Sequence, residues 1–407
     1  MNTEKKFFHS NTAIVTLFAA CFVVLISLGV RQTFGLFFID FNESLNISNT
    51  AFGFAIGTQM LMWGLTGPIF GAIADRFGGH VAIISSFLFY TLGVYFLYSG
   101  PNTGIFFQIH LGLLIGIGLG GTAISIPMSI VGKHFPLSNR TIAMSIVTAV
   151  GSFGYFISPI FTNYSLIEYG WNYTLFLFSL FLVTGLIAAF FVRSPKENEI
   201  VENRSDQSFK EALSEAFKSK SYILLVSGFF VCGFHITLVG THVPKYVIDR
   251  GLEDWTAAAI LSLIGLFNIF GSLLSGYLST KISKKFLLSA IYLLRGFSIA
   301  FFIFTPPSVL SAFIFGASFG FLWLSTVPAT SGIVAHLFGT KYLGLLYGIV
   351  FLSHQIGSFF GAYLGGLFHD LYGSYDYAWY LAILLSIFAA IIHLPIIEKP
   401  VERLQKI

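Results

Sequence analysis

Residues 193–220 read RSPKENEIVENRSDQSFKEALSEAFKSK, a polar segment rich in Glu, Lys and Ser inside an otherwise strongly apolar chain. Six apolar runs precede it, at 13–39, 50–74, 80–98, 104–131, 141–164 and 171–192. Six follow it, at 221–243, 256–279, 286–304, 308–337, 343–368 and 378–397. A helix needs about 20 apolar residues to cross a bilayer core, so each run is read as one transmembrane helix. The expected architecture is an all-α membrane protein of twelve helices. An N-terminal six-helix bundle occupies 1–193, a cytoplasmic linker 194–220 and a C-terminal six-helix bundle 221–407. Within the linker, 208–217 has the pattern of a short amphipathic helix lying on the membrane surface.

Composition supports the same class. Of 407 residues, 55% are hydrophobic and only 10% are charged, against about 25% charged in a soluble domain. The mean hydropathy is +0.81. The net charge of +4 is spread over loops and forms no basic stripe, which argues against nucleic-acid binding. Cys21 and Cys232 both lie in apolar runs, where they read as small buried hydrophobes and not as a disulfide framework. The first apolar run is too long for a signal-peptide core and has no A-x-A cleavage site, so it is read as the first membrane helix.

The positive residues set an orientation. With the N-terminus in the cytoplasm, 18 of the 22 Lys and Arg fall inside, from Lys5 and Lys6 through the linker to Lys399, Arg403 and Lys406. Only Lys245 and Arg250 fall outside, and Arg31 and Arg295 lie within helices. A multi-pass protein of a prokaryotic cytoplasmic (inner) membrane with both termini cytoplasmic is expected.

A weak internal repeat marks the two halves. Gly71-Ala-Ile-Ala-Asp75-Arg76-Phe-Gly78 follows the second helix, and Gly276-Tyr-Leu-Ser-Thr280-Lys281-Ile-Ser283 follows the eighth. Repeated halves are the usual build of a transporter with a midplane site. Together with twelve helices and a long central loop, the Gly71–Gly78 motif resembles the major facilitator superfamily over nearly the whole chain. The resemblance implies that Gly71, Asp75 and Arg76 belong to a cytoplasmic gate. Gly79, His80 and Thr280 depart from the family pattern. Within the superfamily, four stretches are similar to the monocarboxylate and oxalate/formate transporters: Gly29-Val-Arg31-Gln-Thr-Phe-Gly35, Thr241-His242-Val-Pro244, Trp323-Leu-Ser-Thr-Val-Pro328 and Ser353-His354-Gln355-Ile-Gly357. Where monocarboxylate carriers place an acid or Asn and then an Arg four residues later in the eighth helix, this chain has Asn268 and Ser272.

Ionisable groups at bilayer depth are costly and are functional candidates. None of the 18 acidic residues falls at the middle of an apolar run, which argues against a cation or drug exporter. The cations remain. Arg31 lies in the outer half of the first helix, with Ser27 and Gly35 at helical spacing on its face. A guanidinium can bind a carboxylate through two parallel hydrogen bonds. Arg31, Asn268, His354 and Gln355 are therefore the expected substrate-binding set. His354 is followed by Gly357, Gly361 and Gly365, a small-residue stripe that suits close helix packing. Because histidine titrates near neutral pH, His235 and His354 are the candidates for proton coupling. Arg295, midway along the ninth helix, and His242, near the outer end of the seventh, are read as structural or gating residues. His235 and His242 are too far apart along the helix for a metal site. There is no phosphate loop for ATP coupling and no nucleophile–base spacing for catalysis, and no cofactor is expected. The expected function is proton-coupled uptake of a small organic anion by alternating access, with the lipid bilayer as environment and a monomer as the working unit. The alternatives are an anion/anion exchanger of the oxalate–formate type and, third, a drug or other solute exporter.

Overall fold

A computed structural model describes residues 11–194, 207–339 and 341–405, without the side chains of Leu137, Ser138 and Gln405. Lys5, Lys6, Lys196, Arg204 and Lys406, used above for orientation, and linker residues 195–206 lie outside the described residues. Among the described residues there is no strand.

Ten helices among the described residues are long and apolar enough to cross a membrane. One of them, Leu137–Ala189, is broken at Gly170, whose φ of 77° and ψ of 169° lie outside the helical region. That left-handed φ carries little penalty for glycine alone, and it turns one apolar segment into two helices. A further helix, Asn49–Phe77, has 29 residues and is more polar because Asn49, Gln59 and Thr66 are bonded to other parts of the protein. The expected twelve membrane helices are therefore present. They are α1 (Asn11–Leu45), α2 (Asn49–Phe77), α3 (Gly79–Ser99), α4 (Ile105–His134), α5 (137–169), α6 (171–189), α7 (Lys220–Asp249), α8 (Asp254–Leu278), α9 (Lys284–Phe304), α10 (Val309–Phe338), α11 (Leu343–Tyr372) and α12 (Asp376–His393). The amphipathic segment is the helix Phe209–Lys218, closed at its start by a Ser208–Glu211 capping box.

Two apolar cores follow the two halves. One is built from side chains of α1 to α6, joined by Ala362 from α11. The other is built from residues 216–396. The fourth helix of each half is interrupted at a corresponding place. In α4, regular helix stops at Thr122 and resumes at Ser125; in α10 it stops at Leu322 and resumes at Thr326. Pro127 and Pro328 each take the third position of the resumed segment. A proline there needs no N–H partner, and its ring excludes the carbonyl four residues back. Pro159 and Pro244 stand inside continuous helices.

The halves meet along α2 with α11 and along α5 with α8. On α2, Gly53, Gly57, Gly64 and Gly71 share one face. A Cβ on Gly53 would meet Ala362 and Tyr363, one on Gly57 would meet Phe359, and one on Gly64 would meet Gln355 and Leu352. At Gly71 nothing lies within 4 Å, and the same is true of Gly348 on the facing side of α11. The two halves are thus closed together on the side of the α1–α2 loop, called here the far side. They splay apart on the side of the described chain ends, called the terminal side.

Candidate substrate site at the far-side closure

Arg31 stands at the last turn of the regular part of α1. The α-helix ends at Gln32 and a tighter turn, Phe34–Phe37, carries the chain on to Phe38–Leu45. Of the expected common face of Ser27, Arg31 and Gly35, the last two line one small cavity against α7. Ser27 turns to α4, where its hydroxyl pairs with that of Thr122 at 2.7 Å. Gly35 packs on α7 so closely that its Cα faces the carbonyl oxygen of Gly240 with no room for a side chain.

The guanidinium of Arg31 is nearly buried, at 8% exposure. Nη1 donates to Gln32 Oε1 (3.4 Å) and Nη2 to Met60 Sδ (3.1 Å). The phenol of Tyr155, from α5, lies beside it. All these partners are neutral, and among the described residues no acid forms an ion pair with Arg31. Arg31, Gln32, Phe34, Gly35, Ile56, Gln59, Gly240 and Thr241 enclose a cavity of about 10 Å³, space for about one water molecule. Two buried polar atoms on its wall, Gln32 Nε2 and Gln59 Oε1, have no hydrogen-bond partner. The cluster combines a cation without a counter-charge, an unused amide donor and a phenol. It lies between α1, α2 and α7, at the level of the closed α2–α11 contact at Gly57 and Gly64.

The other expected substrate residues lie elsewhere. Asn268, on α8, donates from Nδ2 to Ser152 Oγ on α5 (3.0 Å) and accepts at Oδ1 from Leu324 N in the α10 break (3.0 Å). Its amide links the two halves and pins the broken backbone. His354 packs between Phe229 and Phe351, with ring centroids 5.1 and 5.6 Å away, and its Nδ1 pairs with Gln355 Oε1 (3.1 Å). The Gly357–Gly361 stripe beyond it packs on the α7 backbone at Phe230 and Phe234, inside the second half. Gln355 lies against Gly64 at the α2–α11 contact, with Nε2 unpartnered. His354 and Gln355 are together. Arg31 and Asn268 share no hydrogen bond with them or with each other among the described residues.

The two histidines of α7 point to different neighbours. His235 donates from Nε2 to Ala382 O on α12 (2.9 Å), and His242 to Ala362 O on α11 (2.7 Å). His235 therefore faces α12. The helix face it shares with His242 is wide enough to meet two helices. Arg295 is fully buried and donates from Nε to Leu322 O (3.1 Å) and from Nη2 to Leu322 O (2.6 Å) and Trp323 O. It thus holds the carbonyls that the α10 break sets free. In the Gly71–Gly78 motif, Asp75 pairs with Lys133 of the same half at 3.0 Å, and the Arg76 guanidinium lies over the Phe77 ring. Neither reaches the second half in this conformation. Among the described residues no group of His, Cys, Asp and Glu could hold a metal.

Sequence reasoning missed Gln32, Gln59, Met60 and Tyr155. Gln32 was legible as an amide adjoining the candidate arginine in an apolar run. Tyr155 was not, because its partner is 124 residues away along the chain.

Residues 20–327 match the family model of the Major Facilitator Superfamily. The uncharacterised MFS-type transporter YcxA of Bacillus subtilis (strain 168) is 23% identical over 401 residues, covering 94% of this chain and 95% of its own. Monocarboxylate transporter 13 of Rattus norvegicus is 24% identical over 383 residues, covering 90% and 85%. Among solved structures, a bacterial homologue of the human lysosomal transporter Spinster, inward-facing and unoccupied, superposes with a TM-score of 0.76 at 16% identity, covering 94% of this chain and 96% of that one. A variant of the Escherichia coli fucose:proton symporter FucP gives 0.63 at 15% identity, covering 94% and 98%. The structural likenesses concern the fold; the family model and the named relatives mark a transporter and not an enzyme. The chain belongs to the major facilitator superfamily.

Proposed function

We propose that this protein carries a small organic monoanion across the cytoplasmic membrane by alternating access, with Arg31 as the anchor for its carboxylate. The observation that carries this reading is the nearly buried Arg31 guanidinium with only neutral partners. A cation held in a low-dielectric interior without a counter-ion is costly, and an anionic substrate supplies the missing charge. Gln32 Nε2 and the Tyr155 hydroxyl would complete the carboxylate's hydrogen bonds. Rat monocarboxylate transporter 13, though only 24% identical, agrees with this substrate class. With both termini cytoplasmic, the conformation described is open to the cytoplasm and closed outside, and a monomer suffices for it.

Uptake of an anion against an inside-negative potential is helped by a co-transported proton, with His354 as its carrier. A second reading, exchange of one anion for another, is favoured by one observation. His235 faces α12, and among the described residues no hydrogen bond joins a histidine to the Arg31 cluster. Uptake of radiolabelled short monocarboxylates into proteoliposomes tests both readings. Symport predicts uptake driven by an outside-acidic gradient and abolished by Arg31→Gln. Exchange predicts uptake that ignores the gradient and requires anion inside. Equal transport by wild type and Arg31→Gln would sink the anchor.

A further inference from the structure

Asp370, near the end of α11, reaches across to the other half. Its Oδ1 accepts from Asn49 Nδ2 (2.7 Å) and Asn49 N (3.3 Å). Its Oδ2 accepts from Thr50 N (2.7 Å) and Thr50 Oγ1 (2.6 Å). Asn49 and Thr50 are the first two residues of α2, and the helix's own cap, Ser48, serves only Ala51 N. The first backbone N–H groups of a helix have no partner inside it, and a negative charge there is favoured by the helix dipole. Asp370 supplies both needs from the opposite half. Around it the contact is tight. Tyr375, buried, donates to Asn49 Oδ1 (2.9 Å), and Gly366 lies against the Asn49 carbonyl with no room for a side chain.

Each of these bonds crosses between the halves on the far side, and none can persist once α2 and α11 part there. We propose that Asp370 is the latch of the far-side gate: its carboxylate caps α2 only while that side is closed, and so sets the balance between the two openings. This rests on the alternating-access reading but not on the identity of the substrate. Asp370 makes none of the contacts of Arg31. It acts as a positioning residue, biasing which side the site faces.

Hydrogen–deuterium exchange of the full chain in lipid nanodiscs, without substrate, tests this directly. Asp370→Asn leaves one oxygen to accept and removes the charge. The expected result is faster exchange at the far ends of α2 and α11, around 49–60 and 355–370, together with slower exchange at their terminal-side ends, around 65–77 and 343–352. The ratio of far-open to far-closed molecules should rise about tenfold or more, equivalent to about 1.4 kcal/mol. Thr50→Val, which deletes only one hydroxyl donor, should shift both ends in the same senses by less, and it carries the test if Asp370→Asn does not fold. Exchange that rises at both ends would mean loosened packing, and exchange unchanged at the terminal side would mean no shift in gating. Either result overturns the latch. Because no substrate enters the measurement, failure of the carboxylate transport assay leaves it intact.

Discussion

Replacing Arg295 by Met would remove the only side chain bonded to the carbonyls of Leu322 and Trp323 among the described residues. Two opposing effects set the magnitude. Each buried carbonyl left without a partner costs about 1–3 kcal/mol, so the pair costs about 2–6 kcal/mol. Against this, the substitution removes a fully buried cation with no acid beside it and with Nη1 unpartnered, and losing such a charge recovers part of its desolvation cost. A net loss of about 2–4 kcal/mol is expected, because the carbonyls stay where the α10 break puts them. Lys should restore only part of it, since an ammonium lacks the planar fork that reaches two neighbouring carbonyls together. The assay is SDS-induced or thermal unfolding in one detergent, with the order wild type, Arg295→Lys, Arg295→Met from most to least stable. A Met variant as stable as wild type would refute the pinning argument. A Lys variant fully restored would show that charge and not fork geometry matters.

Asn268→Ala should lower stability by about 1–3 kcal/mol by leaving Leu324 N unpartnered, and should weaken the α5–α8 contact through Ser152. If unfolding is unchanged and only the transport KM rises, Asn268 is a substrate ligand and not a linker. Glu398 offers a pH test outside the membrane. Burial alone would raise its carboxyl pKa, but hydrogen bonds from Lys285 N and Ser283 Oγ outweigh it and hold the group below the usual carboxylate range. A depressed folded-state pKa contributes stability above the ordinary carboxylate range that is lost as pH falls through the folded value. Acid titration of unfolding should therefore show a loss in wild type that is smaller in Glu398→Gln.

Much of the fold could be read from the chain because a bilayer leaves few choices. Every backbone polar group must be satisfied within a helix, so apolar length alone located the twelve spans. The breaks in α4 and α10 were only half legible. Proline is not a sufficient signal: Pro127 and Pro328 stand at the breaks, yet Pro159 and Pro244 sit in continuous helices. The difference lies in partners that the sequence does not announce, such as Arg295 and Asn268 on the freed groups of α10. At the site, Arg31 was found because a lone cation in an apolar run is conspicuous. The partners of Asn268 and His235 were not legible, because helical periodicity gives a face but not the neighbour that face meets.

The two intramembrane arginines show how neighbours divide one residue type into two roles. By sequence both are buried cations without an acid nearby, and the membrane argument singles out each equally. Arg295 spends three hydrogen bonds on backbone carbonyls of its own half. In the first half, Ser86 of α3 donates to Gly118 O (2.7 Å) and accepts from Gly121 N (2.8 Å) in the last turn before the α4 break. At Arg295 the carbonyl dipoles exposed by the α10 break compensate the charge. Arg31 has no such compensation. Its bonds go to a thioether and an amide oxygen, with the Tyr155 phenol nearby, which leaves a net positive site at the junction of α1, α2, α5 and α7. A purely structural arginine would be expected to show the backbone contacts of Arg295. Their absence at Arg31 is the physical ground on which the proposal of an anionic substrate at that cluster rests.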